Sequence, residues 1–445
     1  MLEKINELIE TNDFKELKKQ IVELNEADIA EILEEIDDKN KLIKIFRLLP
    51  KDIAAETFAN LPLDTQQSII TSLTMQEAGT IIDNLYADDA ADLIDEMPAN
   101  IVTKLLANTT KETRSEINFL LKYPDNSAGS VMNIDFLDLK EHLTVSEAIE
   151  KIREEGEEKE TVDTCFVVDK SRKLLGTIEL KELLFNKSNL KVEEIMEDNV
   201  ISVYTYEDQE EVANKFSKYD LNAMPVVDKE NRLVGIITID DVVDILQEET
   251  TEDIEKMAAI SPSDKPYMKT GVFETWKKRI PWLLLLMISA AFTSSIIQKY
   301  ESALASYVIL TAFIPMFMDT GGNAGGQASV TIIRGLSLNE IELSDIFTII
   351  WKEFRVAILT GITLAVVNFA KLLIFDKVTV LVALVVCLTM IVTIIFAKIV
   401  GCSLPMLAKK IGFDPAVMAS PFITTIVDAV SLITYFQIAT WLLGI

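Results

Sequence analysis

Two hydrophobic rhythms run along this chain, and they predict different surroundings. Up to residue 128, apolar residues recur every three or four positions among acidic ones, the stripe that a short helix buries. Asp28-Ile-Ala-Glu-Ile-Leu, Asp52-Ile-Ala-Ala-Glu-Thr-Phe and Glu77-Ala-Gly-Thr-Ile-Ile open helices of one pattern at spacings of 24 and 25 residues, and Asp89-Ala-Ala-Asp-Leu-Ile follows. Pro50, Pro62 and Pro98 are read as helix ends. Units that each bury one stripe on a neighbour predict an α-helical solenoid over residues 1–128. From residue 281 the apolar runs are long enough to cross a bilayer, which takes about 20 residues. Five spans are expected, at 281–299, 303–333, 355–375, 378–397 and 415–442.

Between these regions lies an internal repeat of about sixty residues. Val131-Met132 returns as Ile195-Met196, and Phe166-Val-Val-Asp-Lys with Gly176 returns as Pro225-Val-Val-Asp-Lys with Gly235. Thr144-Val-Ser-Glu is a capped helix start, answered by Tyr206-Glu-Asp-Gln-Glu-Glu-Val. Each copy reads helix, apolar strand, polar turn, strand, helix. The paired copies, 129–190 and 191–250, resemble a tandem CBS module, an α+β regulatory fold. In the second copy Gly235-Ile-Ile-Thr238-Ile-Asp240-Asp241 is similar to the CBS adenosine pattern. That resemblance implies one site for ATP or another adenine nucleotide, held by Thr238 and Asp241. The first copy has Glu179 and Glu182 there, and a CBS pair without nucleotide is the other reading.

Residues 251–280 are expected to connect the parts. The helix opened by Asp240 carries Asp241, Asp244 and Glu248 on one side, and Glu249, Glu252 and Asp253 at neighbouring positions. Like charges at that spacing destabilise a helix unless something neutralises them. Pro262 and Pro266 mark a break before the membrane.

Within the apolar region, Pro315 to Arg334 reads PMFMDTGGNAGGQASVTIIR. Gly321, Gly322, Gly325 and Gly326 suggest an interrupted helix, which is tolerated at membrane depth where it lines a cavity. They also satisfy GxxxG twice, a packing face. Asp319, Asn323 and Gln327 favour a polar path, because packing does not need them. No Lys-Ser/Thr follows the glycines, so this is no nucleotide-binding loop. Asp428 lies in the last span with no basic partner in that segment. A carboxylate there costs about 2.5–3.5 kcal/mol on an insertion scale. A cation site accounts for it better than a protonated, hydrogen-bonded acid.

Charge sharpens the division. The chain has 70 acidic and 42 basic residues, a net charge of -28. Residues 1–270 hold 60 acidic against 30 basic, whereas 271–445 hold 10 against 12. Such a block repels nucleic acid and anionic lipid and attracts cations. The start, MLEKINELIE, lacks a signal peptide's basic and apolar parts, so the block is expected in the cytosol. Lys277, Lys278 and Arg279, then Arg334, Lys352 and Arg355, then Lys398, Lys409 and Lys410, fall between spans on that same side. Three scattered cysteines fit a reducing compartment. His142 is the single histidine, which excludes zinc chemistry of the HExxH kind and leaves oxygen ligands, suited to magnesium or calcium. No ATPase motif is present and no catalytic constellation is read.

The whole arrangement resembles the MgtE-type magnesium channels: acidic helical N domain (1–128), CBS pair, connecting helix and linker (251–280), and a five-helix transmembrane pore domain (281–445). TGGNAGGQASVTIIRG, Asp414-Pro415 and Pro421-Phe-Ile-Thr-Thr-Ile-Val-Asp428 carry the likeness. It implies a homodimer in the cell membrane, surrounded by lipid, with magnesium as both cargo and regulator. Asp428 would hold hydrated magnesium beside Asn323, with Asp319, Gly325 and Thr424 also placed in the pore. The implied regulatory ligands are Glu56, Asp88 and Asp92; Glu210, Asp220, Asp241 and Asp244; Glu249, Glu252 and Asp253; and Asp414 at the cytosolic gate. Magnesium bridging these acids would close the channel. Two alternatives stay open: a CBS-regulated transporter of another cation or ion-coupled solute, and a membrane-anchored nucleotide sensor.

Overall fold

The fold is described by a computed structural model covering residues 2–11, 13–36, 38–263, 267–418 and 420–444. Pro266, read above as part of a chain break, lies outside the described residues. The chain forms two compact units, one up to Ile245 and one from Leu246.

In the first unit, ten short helices run from α1 (Leu2–Thr11) to α10 (Lys111–Leu120) among the described residues. Alternate helices pack together: α3 (Glu26–Glu34) on α5 (Lys51–Ala59), α5 on α7 (Met75–Ile82), and α8 (Ala87–Asp95) on α10. Their apolar stripes meet in a core that contains the fully buried Phe58, Leu33 and Ile82. Burying one such side chain contributes about 1.5–3 kcal/mol. Thr74 and Glu77 form a capping box on α7, and Arg47 bonds Glu77 at 2.9 Å. One expectation changes here. Pro50 and Pro98 do not end helices but sit as the N-cap residues of α5 and α9 (Ala99–Ala107), and Pro62 does the same for α6 (Leu63–Ser72). A proline has no N–H to leave unpaired, so a helix start suits it.

The two repeat copies have matching topology. In the first, β1 (Asp138–Lys140) lies parallel to β2 (Thr164–Val168), which pairs antiparallel with β3 (Leu174–Glu179). In the second, β4 (Val203–Tyr204), β5 (Ala223–Val227) and β6 (Leu233–Thr238) repeat that order. Helices α11 (Val145–Glu155) and α12 (Leu180–Phe185) belong to the first copy, and α13 (Gln209–Tyr219) and α14 (Ile239–Met257) to the second. The copies are stitched by reciprocal bridges. Asn133 exchanges backbone bonds with Ile236 at 2.7 and 2.8 Å, as Glu197 does with Thr177 at 2.8 and 2.9 Å. The repeated Met and Gly share a cause. A Cβ on Gly235 would lie 2.6 Å from the Met132 sulfur, and one on Gly176 would lie 2.7 Å from that of Met196. Each methionine fills the space its partner glycine leaves.

The second unit holds the C-terminal half of α14, then α15 (Val272–Lys299), α16 (Glu301–Ser306), α17 (Ile314–Ser337), α18 (Ile346–Ile374), α19 (Val380–Lys410) and α20 (Ser420–Leu443). Among the described residues, four stretches are long and apolar enough to cross a membrane: Val272–Lys299, Leu343–Ile374, Val380–Lys410 and Pro415–Leu443. Helix α17, expected as a fifth span, is long enough but is not among them.

Two expectations about this region are corrected. The break does not fall at the glycines. It falls at residues 307–313, where Tyr307 leaves the helix and a 3-10 turn leads into α17 with Pro315 in its first turn. The buried Tyr435 hydroxyl donates to the Leu310 carbonyl there at 2.9 Å, satisfying an acceptor that the break exposes. The glycines are instead seats for other helices. The basic clusters also shift. Lys352 and Arg355 lie inside α18, and Lys398 lies inside α19, 5% exposed and bonded to Glu353 at 3.2 Å. Lys398 is therefore a packed residue and not a loop charge.

Candidate functional site

An acid cluster forms in the first unit, where α5 and α8 approach the CBS pair. Buried Asn133 holds it, its amide donating to Asp88 at 3.3 Å and to Glu160 at 2.9 Å. Burial and the nearby charges of Asp89, Asp241 and Glu160 raise the Asp88 carboxyl well above its usual range. Asp89 is pushed up to about 6 by burial and then by Asp241, Glu56 and Asp240. Glu160 rises to about 7, through burial and then Asp240, Asp241, Asp89 and Glu56. Burial also raises Asp241, even though Thr238 donates to it. Carboxylates that resist ionising together form a site that gains from a cation.

Three of the expected ligands, Glu56, Asp88 and Asp241, thus share one electrostatic cluster. Asp92 lies a turn further along α8 and is exposed. Asp244 follows a turn after Asp241 on α14. Glu210 is in the first turn of α13, and its N–H bonds the Asp208 cap. Asp220 ends that helix in the left-handed conformation, φ 52°. Glu249, Glu252 and Asp253 lie on the part of α14 that belongs to the second unit. Among the described residues no three acids are placed closely enough to hold an ion by direct bonds alone. Magnesium commonly keeps several waters, so hard carboxylates at wider spacing still fit it.

Asn133 and Glu160 were not among the residues read as a site. The repeat gave no signal for Asn133, because the second copy has Glu197 at its place. Glu160 had none, since a solvated acid looks the same in sequence.

The nucleotide expectation meets a different geometry. Thr238 donates to Asp241 at 2.9 Å, so the pair is turned on itself and sits among the acids named above. A cleft falls at the equivalent place of the first copy. It measures about 560 Å³ and is lined in part by Glu179, Glu182, Glu197, Asp220 and Asn222.

In the second unit α17 is the centre. Added to Gly321, a Cβ would lie 2.6 Å from Val427 and 2.9 Å from Thr393. On Gly322 it would lie 2.9 Å from the Thr424 methyl, and on Gly325, 2.6 Å from Ile423. These glycines let α19 and α20 approach closely. Gly325 is therefore buried in helix packing, and the Thr424 hydroxyl is spent on the Pro421 carbonyl at 3.0 Å. A different face of α17 carries Asp319, Asn323, Gln327, Thr331 and Arg334 in one exposed row. Asn323 donates to Asp319 at 3.2 Å. Asp428, one residue beyond Val427 on α20, has a buried Oδ1 with no hydrogen-bond partner. An unmatched carboxylate oxygen at membrane depth is costly, and a cation is the partner that its charge asks for.

Asp414, expected at the gate, precedes the 3-10 turn Pro415–Met418. Its Oδ1 accepts from the Ala416 N–H at 2.7 Å and its Oδ2 from Lys256 at 2.6 Å. Burial works against charge on Lys256, but its bonds to Asp414 and Glu252 outweigh that and raise its pKa.

An acid-rich soluble unit with a CBS pair, continuous with a bundle of apolar helices that encloses polar groups, is the build of a regulated multi-pass membrane transport protein. Residues 314–438 match the domain family described as divalent cation transporter, residues 24–126 the MgtE intracellular N domain, and residues 128–188 and 192–248 the CBS domain. The magnesium transporter MgtE of Thermus thermophilus is 37% identical over 331 residues, 74% of this chain and 73% of that protein. The Bacillus subtilis magnesium transporter MgtE is 36% identical over 324 residues, 73% and 71%. The chain belongs to the MgtE family of magnesium transporters. Among solved structures, the cytosolic domain of the Mg2+ channel MgtE in complex with ATP is 32% identical, with a TM-score of 0.52 over 54% of this chain and 98% of that one. The soluble part of a magnesium transporter is 26% identical, with a TM-score of 0.52 over 55% and 96%.

Proposed function

We propose that this protein conducts magnesium ions across the cell membrane, and that cytosolic magnesium closes it. The observation that carries the reading is the buried, unpartnered carboxylate oxygen of Asp428. The exposed row on α17 supports it, because Asp319, Asn323 and Gln327 facing lipid would be costly. Those residues call for water or a second copy of the chain, so the working form is a homodimer with the two rows around one passage. Asp428 holds the ion through its retained waters, and Asn323 orients it. A membrane potential supplies roughly 2.3 kcal/mol per charge per 100 mV, enough to drive entry without nucleotide hydrolysis.

Closure follows from the acids. With little magnesium, Glu56, Asp88, Asp92, Glu210, Asp220, Asp241 and Asp244 repel one another, as do Glu249, Glu252 and Asp253. Magnesium neutralises them and favours the closed arrangement by its differential affinity. Adenine nucleotide binds the CBS pair, either at Thr238 and Asp241 or in the cleft at the first copy, both of which carry acids. A bound divalent cation would have to offset Glu179 and Glu182 in the cleft.

The test is magnesium flux into proteoliposomes. Asp428→Ala is expected to abolish it while leaving a folded protein. Normal flux through that variant would defeat the assignment.

A further inference from the structure

We infer that Lys256 is a built-in competitor for magnesium at the carboxylates of Glu252 and Asp414, and so sets the concentration at which that site responds. The inference rests on the reading of those two acids as regulatory ligands. Lys256 is the last basic residue of α14. Its ammonium bonds Asp414 Oδ2 at 2.6 Å and also contacts Glu252, one turn back on the same helix. Its side chain is only 21% exposed, and those of Glu252 and Asp414 are 32% and 34% exposed. The other Asp414 oxygen takes the Ala416 N–H. Both oxygens of the acid are therefore engaged, one of them by a positive charge.

A cation that comes to this pair meets an ammonium already in place. The exchange is possible because lysine is a point charge on a flexible four-carbon stem, with no fixed fork to hold it. Two carboxylates with one ammonium carry a net charge of one minus. Replacing the ammonium by a divalent ion neutralises them, so the exchange gains only when magnesium is abundant. A monovalent ion offers no such gain over the lysine, which disfavours it.

The ammonium is not what seats this end of α14. Met257 packs with Ile333 of α17 and with Ala416. The Ser263 N–H bonds Glu255 at 2.8 Å, and the Ser261 N–H bonds the Lys278 carbonyl at 3.2 Å. Removing the charge therefore leaves the helix end placed.

The experiment is limited proteolysis of the full-length protein in detergent, titrated with magnesium at constant ionic strength. It reads the concentration that half-protects the chain between α14 and α15. Lys256→Gln is expected to lower that concentration about fivefold or more, the low end of ordinary coupling between two ligands. Lys256→Arg keeps the charge and adds a fork that grips carboxylates, so it is expected to match or exceed the parent value and never to fall with the uncharged variants, and Lys256→Met is the replacement if the glutamine variant does not fold. An unchanged or raised half-protecting concentration in the uncharged variants would overturn the inference, because a tether or a bystander predicts that result. Asp414→Asn separates the two claims. If it weakens the response while Lys256→Gln does nothing, only the competitor is lost. If it has no effect, the assignment of Asp414 as a ligand fails and the competitor fails with it.

Discussion

Gly401 illustrates what single positions decide in the membrane unit. A Cβ there would run into the Gly325 carbonyl oxygen, which is backbone and cannot move aside. Gly361 is less confined, its nearest new neighbour being the Ile391 Cα at 3.3 Å. Gly401→Ala is expected to destabilise the protein by about 1–3 kcal/mol, the usual cost of overpacking, and Gly361→Ala by less. Thermal melts in detergent compare them, and equal melting temperatures would refute the close approach of α17 and α19. The glycines of α17 were visible in the sequence, but their use was not. Composition allowed both a broken helix and a packing face, and only the positions of Val427, Thr424 and Ile423 decide for packing.

At the scale of elements, the periodicity located the short helices, the repeated strands and the long apolar runs. It placed helix ends less well. Basic residues that looked like loop charges continue helices α18 and α19; Lys352 and Arg355 stay exposed there, whereas Lys398 need not reach water because it pairs with the largely enclosed Glu353. The Lys398–Glu353 pair joins those two helices with both side chains largely enclosed. Lys398→Met alone leaves Glu353 without its partner and is expected to cost about 3–5 kcal/mol. Lys398→Met with Glu353→Leu should recover most of that loss, because an apolar pair of similar volume needs no charge. Melting of the single and double variants is the measure, and no recovery in the double variant would show that the pair has a further role.

For the whole molecule, the acidic unit is the part that responds to solution conditions. Glu160 is raised from 4.5 to about 7 and Asp89 from 3.8 to about 6 in the folded state. Between those values the folded chain binds more protons than the unfolded one. The stability these two groups contribute is then fully present at low pH and is lost as pH rises through about 6 to 7. Without magnesium, protease resistance of this unit is expected to be higher near pH 5.5 than near pH 8. Magnesium at the higher pH should restore it by replacing protons as the neutralising charge. Equal protection by sodium at matched ionic strength would favour simple screening.

The sequence by itself determined the order of parts, the division of charge and the lone carboxylate in the last apolar run. Those features follow from local pattern and from the cost of a charge in hydrocarbon, and neither needs coordinates. Tertiary structure alone decided that Glu160 and Asn133 join the acids of α5 and α8, that a cleft opens beside Glu179 and Glu182 of the first repeat copy, and that Lys256 sits on Asp414. Each is a meeting of residues far apart along the chain. Such meetings are fixed by how helices pack and sheets pair, and a one-dimensional pattern carries no record of them.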